Sequence, residues 1–241
     1  MAISTKNYKS HKIQQLNLMG ETFKVESSVK SLGFILDNNL KMDKQINNIC
    51  SVGYYMLRNL WKISKKVIDK NLRTQLVHAS ILSRINYCNA LYTFLPKTQL
   101  SKLQKLINSS ARFIFNITGH NRFNHITPYL KQLHFLPVNY RTEFKICLII
   151  YKCLYTDNAP TYLTELINIK SPNKHWNLRT DLDRSLLACN QIIKQNYKTR
   201  GFSHAAPIIW NKLPLNIRTA DSVDIFKNKL KTYFFVKWNN I

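Results

Sequence analysis

A chain of 241 residues with 45% apolar and 12% aromatic side chains can bury one large core or two smaller ones and is not disordered throughout. Lys and Arg number 36 against 12 Asp and Glu, a net charge of +24, and the self-repulsion this imposes on a compact fold points to a polyanionic partner. Only four residues are glutamate, so carboxylate chemistry is restricted, and composition favours a nucleic-acid binder over a small-molecule enzyme.

The first forty residues read as strands. Lys12 to Leu18 and Thr22 to Val25 flank a turn at Met19-Gly20-Glu21, and a third run, Leu32 to Leu36, ends at Asp37-Asn38-Asn39. Three short strands make a marginal sheet, so residues 1 to 40 are expected to be the least protected part of the chain. From Met42 the period becomes helical. Asp43 caps a helix to about Lys62, with Ile46, Cys50, Leu57 and Trp61 on one side. A second helix runs from Asp69 to about Ala90, its apolar residues pointing several ways.

The third helix, about Gln99 to Ile117, is the clearest. At about 100° per residue, Leu100, Leu103, Ile107, Ala111 and Ile114 share one face, and Lys102, Lys105, Ser109, Arg112 and Asn116 the other. That second face carries no acid, whereas ordinary solvated faces mix both signs. A cationic loop with His120, Arg122 and His125 follows. A short helix spans Pro128 to Leu133, a long one Asn139 to Tyr155 and a short one ends near Ile167. Residues 168–201 read as a loose basic linker, with strands near Ser185 to Ala188 and Gln191 to Ile193. Helices close the chain at Ser203 to Trp210 and Asp221 to Val236, the latter with Val223, Phe226, Leu230 and Tyr233 inward.

Several chemistries lack their residues. The five glycines are isolated, so no Gly-rich phosphate loop is present, and no G-x-S-x-G elbow occurs. The five cysteines are scattered without a C-x-x-C pair, as expected of reduced thiols. His120 and His125 lack the spacing of a helical metal pair, so no metal ligands are assigned. The longest apolar run, Ile146 to Tyr151, falls far short of the roughly 20 residues that cross a bilayer. With a polar, basic start from Met1 to Ser10, an intracellular chain, nuclear or cytoplasmic, without signal peptide or membrane partner is expected.

Val29-Lys30-Ser31-Leu32-Gly33-Phe34-Ile35-Leu36-Asp37 resembles the K-x-L-G-x-x-x-D segment late in the palm of reverse transcriptases from non-LTR (LINE-type, jockey-like) retrotransposons. Ser83 to Leu91, Leu95-Pro96, the Leu103 to Arg112 helix, His125-Ile126-Thr127-Pro128, Leu133 to Val138 and Ala159 to Leu163 continue the similarity in order. Ala205-Ala206-Pro207, Trp210-Asn211-Lys212-Leu213-Pro214, Ile217-Arg218, Phe226-Lys227 and Leu230-Lys231 complete it. The family's F/Y-A-D-D motif lies upstream of this region, and the chain has no Asp-Asp pair. The resemblance therefore implies the end of the palm, the thumb and the region beyond, from a truncated element copy, inactive as a polymerase alone.

The expected fold is mainly α, a thumb-like helical bundle with a small N-terminal β remnant of a palm sheet. Its segments are a palm remnant at 1–41, a thumb-like domain at 42–167, the linker at 168–201 and a C-terminal helical segment at 202–241. By resemblance, Leu32, Gly33 and Phe34 form a primer grip, with Leu32 and Phe34 anchoring the strand. Lys102, Lys105, Arg112, His120 and Arg122 are the candidate nucleic-acid contacts. The expected partner is an RNA–DNA hybrid or duplex, with a complementary polymerase fragment as a second candidate. No cofactor is assigned to this chain, although the intact family enzyme uses Mg. The alternatives are a helical protein-interaction module and a non-functional relic.

Overall fold

The computed structural model describes residues 15–63, 68–118, 124–157, 159–170, 185–189 and 201–240. It is mainly helical, with short antiparallel strands at its N-terminal end. Contacts divide the chain into two units, 1–88 with 95–133 and 89–94 with 134–241. The sequence segmentation drew its lines elsewhere. Its 42–167 stretch holds the division at 133/134, and its C-terminal segment shares a core with the long helix before the linker.

In the first unit, β1 (Gln15–Leu18) pairs with β2 (Glu21–Lys24), and β3 (Ser28–Ser31) with β4 (Phe34–Asp37). Both hairpins turn on two residues with positive φ, Met19-Gly20 (52° and 87°) and Leu32-Gly33 (47° and 81°), the signature of a type I′ turn. The second hairpin corrects the sequence reading. Leu32 and Gly33 are a turn and not the start of a strand, and the strand before them went unseen because its residues are exposed or half-buried, with no apolar alternation.

The two hairpins are held very differently. Phe34 is buried, the Ile35 N–H donates to Gln45 Oε1 at 3.0 Å, and Lys44 Nζ donates to Ser28 Oγ at 2.7 Å. Tyr87 donates its hydroxyl to the Leu32 carbonyl at 2.6 Å. The β2 residues, by contrast, are all exposed. Residues up to 40 are therefore not uniformly loose. The Ile35 amide is expected to exchange at least about tenfold more slowly than those of Glu21 to Lys24, because it opens only with its docked hairpin. Equal rates by hydrogen-exchange mass spectrometry would contradict the docking.

Helices α1 (Asp43–Ile63), α2 (Lys70–Val77), α3 (Ser83–Asn86), α4 (Lys97–Ile114) and α5 (Thr127–Gln132) complete this unit. The buried stripe of α1 is Ile46, Ile49, Gly53 and Leu57, while Cys50 and Trp61 sit at its margins. Gly53 lets α4 approach: a Cβ there would lie 2.5 Å from Leu106 Cδ2 and 3.2 Å from Cδ1. Leu106 is fully buried and has nowhere to retreat. Gly53→Val is expected to destabilise the unit by about 1–3 kcal/mol through overpacking, read as a lower denaturation midpoint. An unchanged midpoint would show that the helices can part.

Asp69 caps α2 by accepting from the Leu72 N–H at 3.0 Å. Between α2 and α3 the turn widens to a π-helix at His78–Leu82. That extra residue brings Val77, Ile81, Leu82 and Ile85 all into the core, which explains apolar positions that fit no single α-helical face. On α4 the buried stripe is wider than the sequence suggested, adding Leu106 and Phe113; the Phe113 ring meets the edge of Trp61 at 5.2 Å.

The second unit contains a 3₁₀ turn at Asn89–Tyr92 and helices α6 (Val138–Tyr155), α7 (Thr161–Thr164), α8 (Phe202–Trp210), α9 (Leu215–Arg218) and α10 (Val223–Asn239). Its core joins Ile146, Cys147, Ile150 and Tyr151 of α6 to Ala206, Ile209 and Trp210 of α8 and to Phe226, Leu230 and Phe234 of α10. Tyr151 stacks on Phe226 at 4.2 Å and donates its hydroxyl to the Ala220 carbonyl at 2.6 Å. Val223 and Tyr233, expected inward, lie at the core's edge, and Phe234 takes the inner place.

Part of the supposed linker is built into this core. Leu187 is 1% exposed and bridges Ile169 in antiparallel fashion. Asn211 grips the Leu187 backbone from both sides, accepting from its N–H and donating to its carbonyl, both at 2.9 Å. Trp210 Nε1 donates to the Ser185 carbonyl at 2.8 Å and Arg218 Nη1 to Ser185 Oγ at 3.0 Å. The expected strand at Gln191 to Ile193 lies outside the described residues.

A local device occurs twice here. In Leu136-Pro137-Val138-Asn139-Tyr140-Arg141, Pro137 opens α6 and Arg141 Nε donates back to the Leu136 carbonyl at 2.7 Å. In Leu213-Pro214-Leu215-Asn216-Ile217-Arg218, Pro214 opens α9 and Arg218 Nε donates to the Leu213 carbonyl at 3.0 Å. Proline fixes φ for helix entry, and the arginine satisfies the carbonyl that precedes it. Burial lowers the Arg141 guanidinium to about 10, which leaves it charged at neutral pH.

Candidate nucleic-acid interface

Helices α1 and α4 together carry seven cationic residues and a single acid, Asp43, whose carboxylate accepts a hydrogen bond from the Gln99 side chain. On α4, Lys105 is exposed and Arg112 half-buried on the outer side, as the sequence placed them. Lys102 is turned further toward α1. Its Nζ donates to Asn47 Oδ1 at 3.0 Å, and its charge opposes the burial that raises the Cys50 thiol.

The sequence reading missed the outer side of α1. Lys44, Asn48, Ser51, Tyr55, Arg58 and Lys62 are all exposed and, at about 100° per residue, occupy an arc of about 80° opposite the buried stripe. Tyr55 is 63% exposed and its neighbour Tyr54 39%. The same face test that singled out α4 finds this stripe. It went unnoticed because tyrosine is most often a core residue, and exposure is not written in the sequence. The Lys102–Asn47 hydrogen bond brings the polar sides of α1 and α4 together.

His120 and Arg122 lie outside the described residues. The primer-grip-like trio is split by the hairpin turn. Leu32 projects from the tip at 91% exposure and so anchors nothing, whereas Phe34, at 4%, is the anchor. Gly33 has open space around the position of a Cβ, so its positive φ, and not crowding, calls for glycine. Holding Leu32 at φ 47° costs about 1–2 kcal/mol.

Among the described residues no group of three or more His, Cys, Asp or Glu lies close enough to hold a metal ion. The five cysteines are free, and burial pushes the Cys147 thiol upward. No described helix is long and apolar enough to cross a membrane. No family model matches the chain, and no curated protein or solved structure is significantly similar to it.

Proposed function

We propose that the first unit binds the backbone of an RNA–DNA hybrid or duplex along the outer faces of α1 and α4, as a thumb-like part of a reverse transcriptase without its catalytic aspartates. The observation that carries this reading is the α1 stripe, which presents Lys44, Arg58 and Lys62 with hydrogen-bonding Asn48 and Ser51 and an exposed Tyr55, and no acid. From Lys44 to Lys62 it extends about 27 Å, several phosphate steps of one strand. Lysine and arginine meet phosphates, the amide and hydroxyl donate to phosphate or sugar oxygens, and the tyrosine ring can lie against a sugar or an unpaired base. Such contacts position a duplex without reading its sequence. Leu32 and Gly33 would lie at the strand terminus, as the resemblance implies.

Polymerisation is not part of this proposal, since the sequence holds no Asp-Asp pair. Fluorescence anisotropy with a labelled hybrid is expected to show similar affinity for unrelated sequences and, with about five phosphates neutralised, a log–log salt slope near −4 to −5. Affinity insensitive to salt would sink the proposal and favour the protein-interaction module.

A further inference from the structure

Tyr55 is the most exposed aromatic residue described in the first unit, ahead of Phe23, Tyr87 and Tyr54. Among the described residues no other ring meets it and no group hydrogen-bonds its hydroxyl. A lone exposed apolar side chain is ordinary on a protein surface, so its setting decides. Tyr162 on α7 is as exposed, at 68%, but Glu165 follows it and residues 159–169 hold neither Lys nor Arg. Tyr55 instead stands in the middle of the acid-free arc of α1, with Ser51 one turn before it and Arg58 and Lys62 one and two turns after.

A paired duplex keeps the faces of its bases stacked inside and shows a protein its phosphates, sugars and base edges. A ring pressed on that surface finds no flat partner. An unpaired base offers its face, and an aromatic side chain set among cations holds such a strand without regard to sequence. Along the α1 axis Arg58 lies about 4.5 Å and Lys62 about 10.5 Å beyond Tyr55. A base lying on the ring therefore leaves its own and the next phosphate within reach of both cations. We propose that the C-terminal half of α1 holds a single strand continuing out of the bound hybrid, with Tyr55 stacking on an unpaired base. This rests on the duplex-binding reading of the same face and narrows its ligand from any hybrid to one with a single-stranded extension.

The test titrates the full chain, by fluorescence anisotropy, into a blunt RNA–DNA hybrid and into the same hybrid extended by about six unpaired nucleotides at its 3′ or its 5′ end. Matching extensions of abasic units keep the phosphates and lack the bases. At one polarity the base-bearing extension is expected to bind at least about tenfold more tightly than its abasic counterpart. Tyr55→Phe should retain that ratio. Tyr55→Leu, which keeps an apolar side chain and gives up the ring, should abolish it and leave the salt slope on the blunt hybrid unchanged. Tyr162→Leu should change neither. Base-bearing and abasic extensions bound alike at both ends, or a ratio that survives Tyr55→Leu, would overturn the proposal while a salt-dependent blunt hybrid still supports the face. A blunt hybrid bound without salt dependence would remove the face itself, and the proposal with it.

Discussion

Replacing Trp210 with alanine is expected to cost about 3–5 kcal/mol, a large fraction of the roughly 5–15 kcal/mol that holds a domain folded. Trp210 is fully buried, and its ring lies 5.9 Å from Phe226, which in turn stacks on Tyr151. Its indole N–H also holds the Ser185 carbonyl. The alanine variant leaves a cavity at the centre of the second unit and an unmet carbonyl where residues 185–189 enter the core. Trp210→Phe separates the two effects, since it fills most of the volume and gives up only the hydrogen bond, for about 1 kcal/mol. Denaturant unfolding monitored by far-UV circular dichroism measures both. A loss below about 1 kcal/mol for Trp210→Ala would mean that the clasp on Ser185 and Leu187 is not what holds this unit together.

Removing charge from the first unit should have the largest effect on binding. Lys44, Arg58 and Lys62 of α1 with Lys102, Lys105 and Arg112 of α4 supply six cations on neighbouring faces. Glutamine at all six positions retains helix propensity and leaves the buried stripes intact. If these cations supply most of the roughly five phosphate contacts, the salt slope falls by about 4 and affinity for a hybrid at moderate salt drops by at least about a hundredfold, equally for all sequences. Lys102 should contribute least, because it is half-buried and its ammonium is engaged with Asn47, whereas Lys44, which bonds Ser28, is exposed. Circular dichroism checks that helicity is retained.

The helices and most of their faces were legible because apolar spacing carries them; α4 and α6 begin within two residues of the positions read from sequence. What was not legible depended on partners far along the chain. The β3 strand has no apolar alternation; Lys44 of α1 bonds it at Ser28, and the rest of its hairpin is held by Gln45 at Ile35 of β4 and by Tyr87 at the Leu32 turn. Ser185 to Ala188, read as a strand within a loose linker, forms only a single bridge at Leu187, and its order comes from Trp210, Asn211 and Arg218, more than twenty residues later. Those three residues also belong to the C-terminal segments that carried the family resemblance, and their contacts give them a structural task within the second unit. The α4 half of the candidate interface was visible as an acid-free face. The α1 half was hidden because Tyr55 looks like a core residue until the fold leaves it outside.

On the proposed reading, position, and not total charge, makes the binding face. It is tested most directly by comparing salt slopes on one RNA–DNA hybrid for two variants of equal charge. One carries Lys44→Gln, Arg58→Gln and Lys62→Gln on α1. The other carries Lys145→Gln, Lys152→Gln and Lys231→Gln at exposed positions of the second unit. Both lower the net charge of +24 by the same three units. The slope is expected to fall by about 3 in the first variant and by less than about 1 in the second. Equal losses in both would contradict the claim and leave only diffuse attraction between a basic protein and a polyanion.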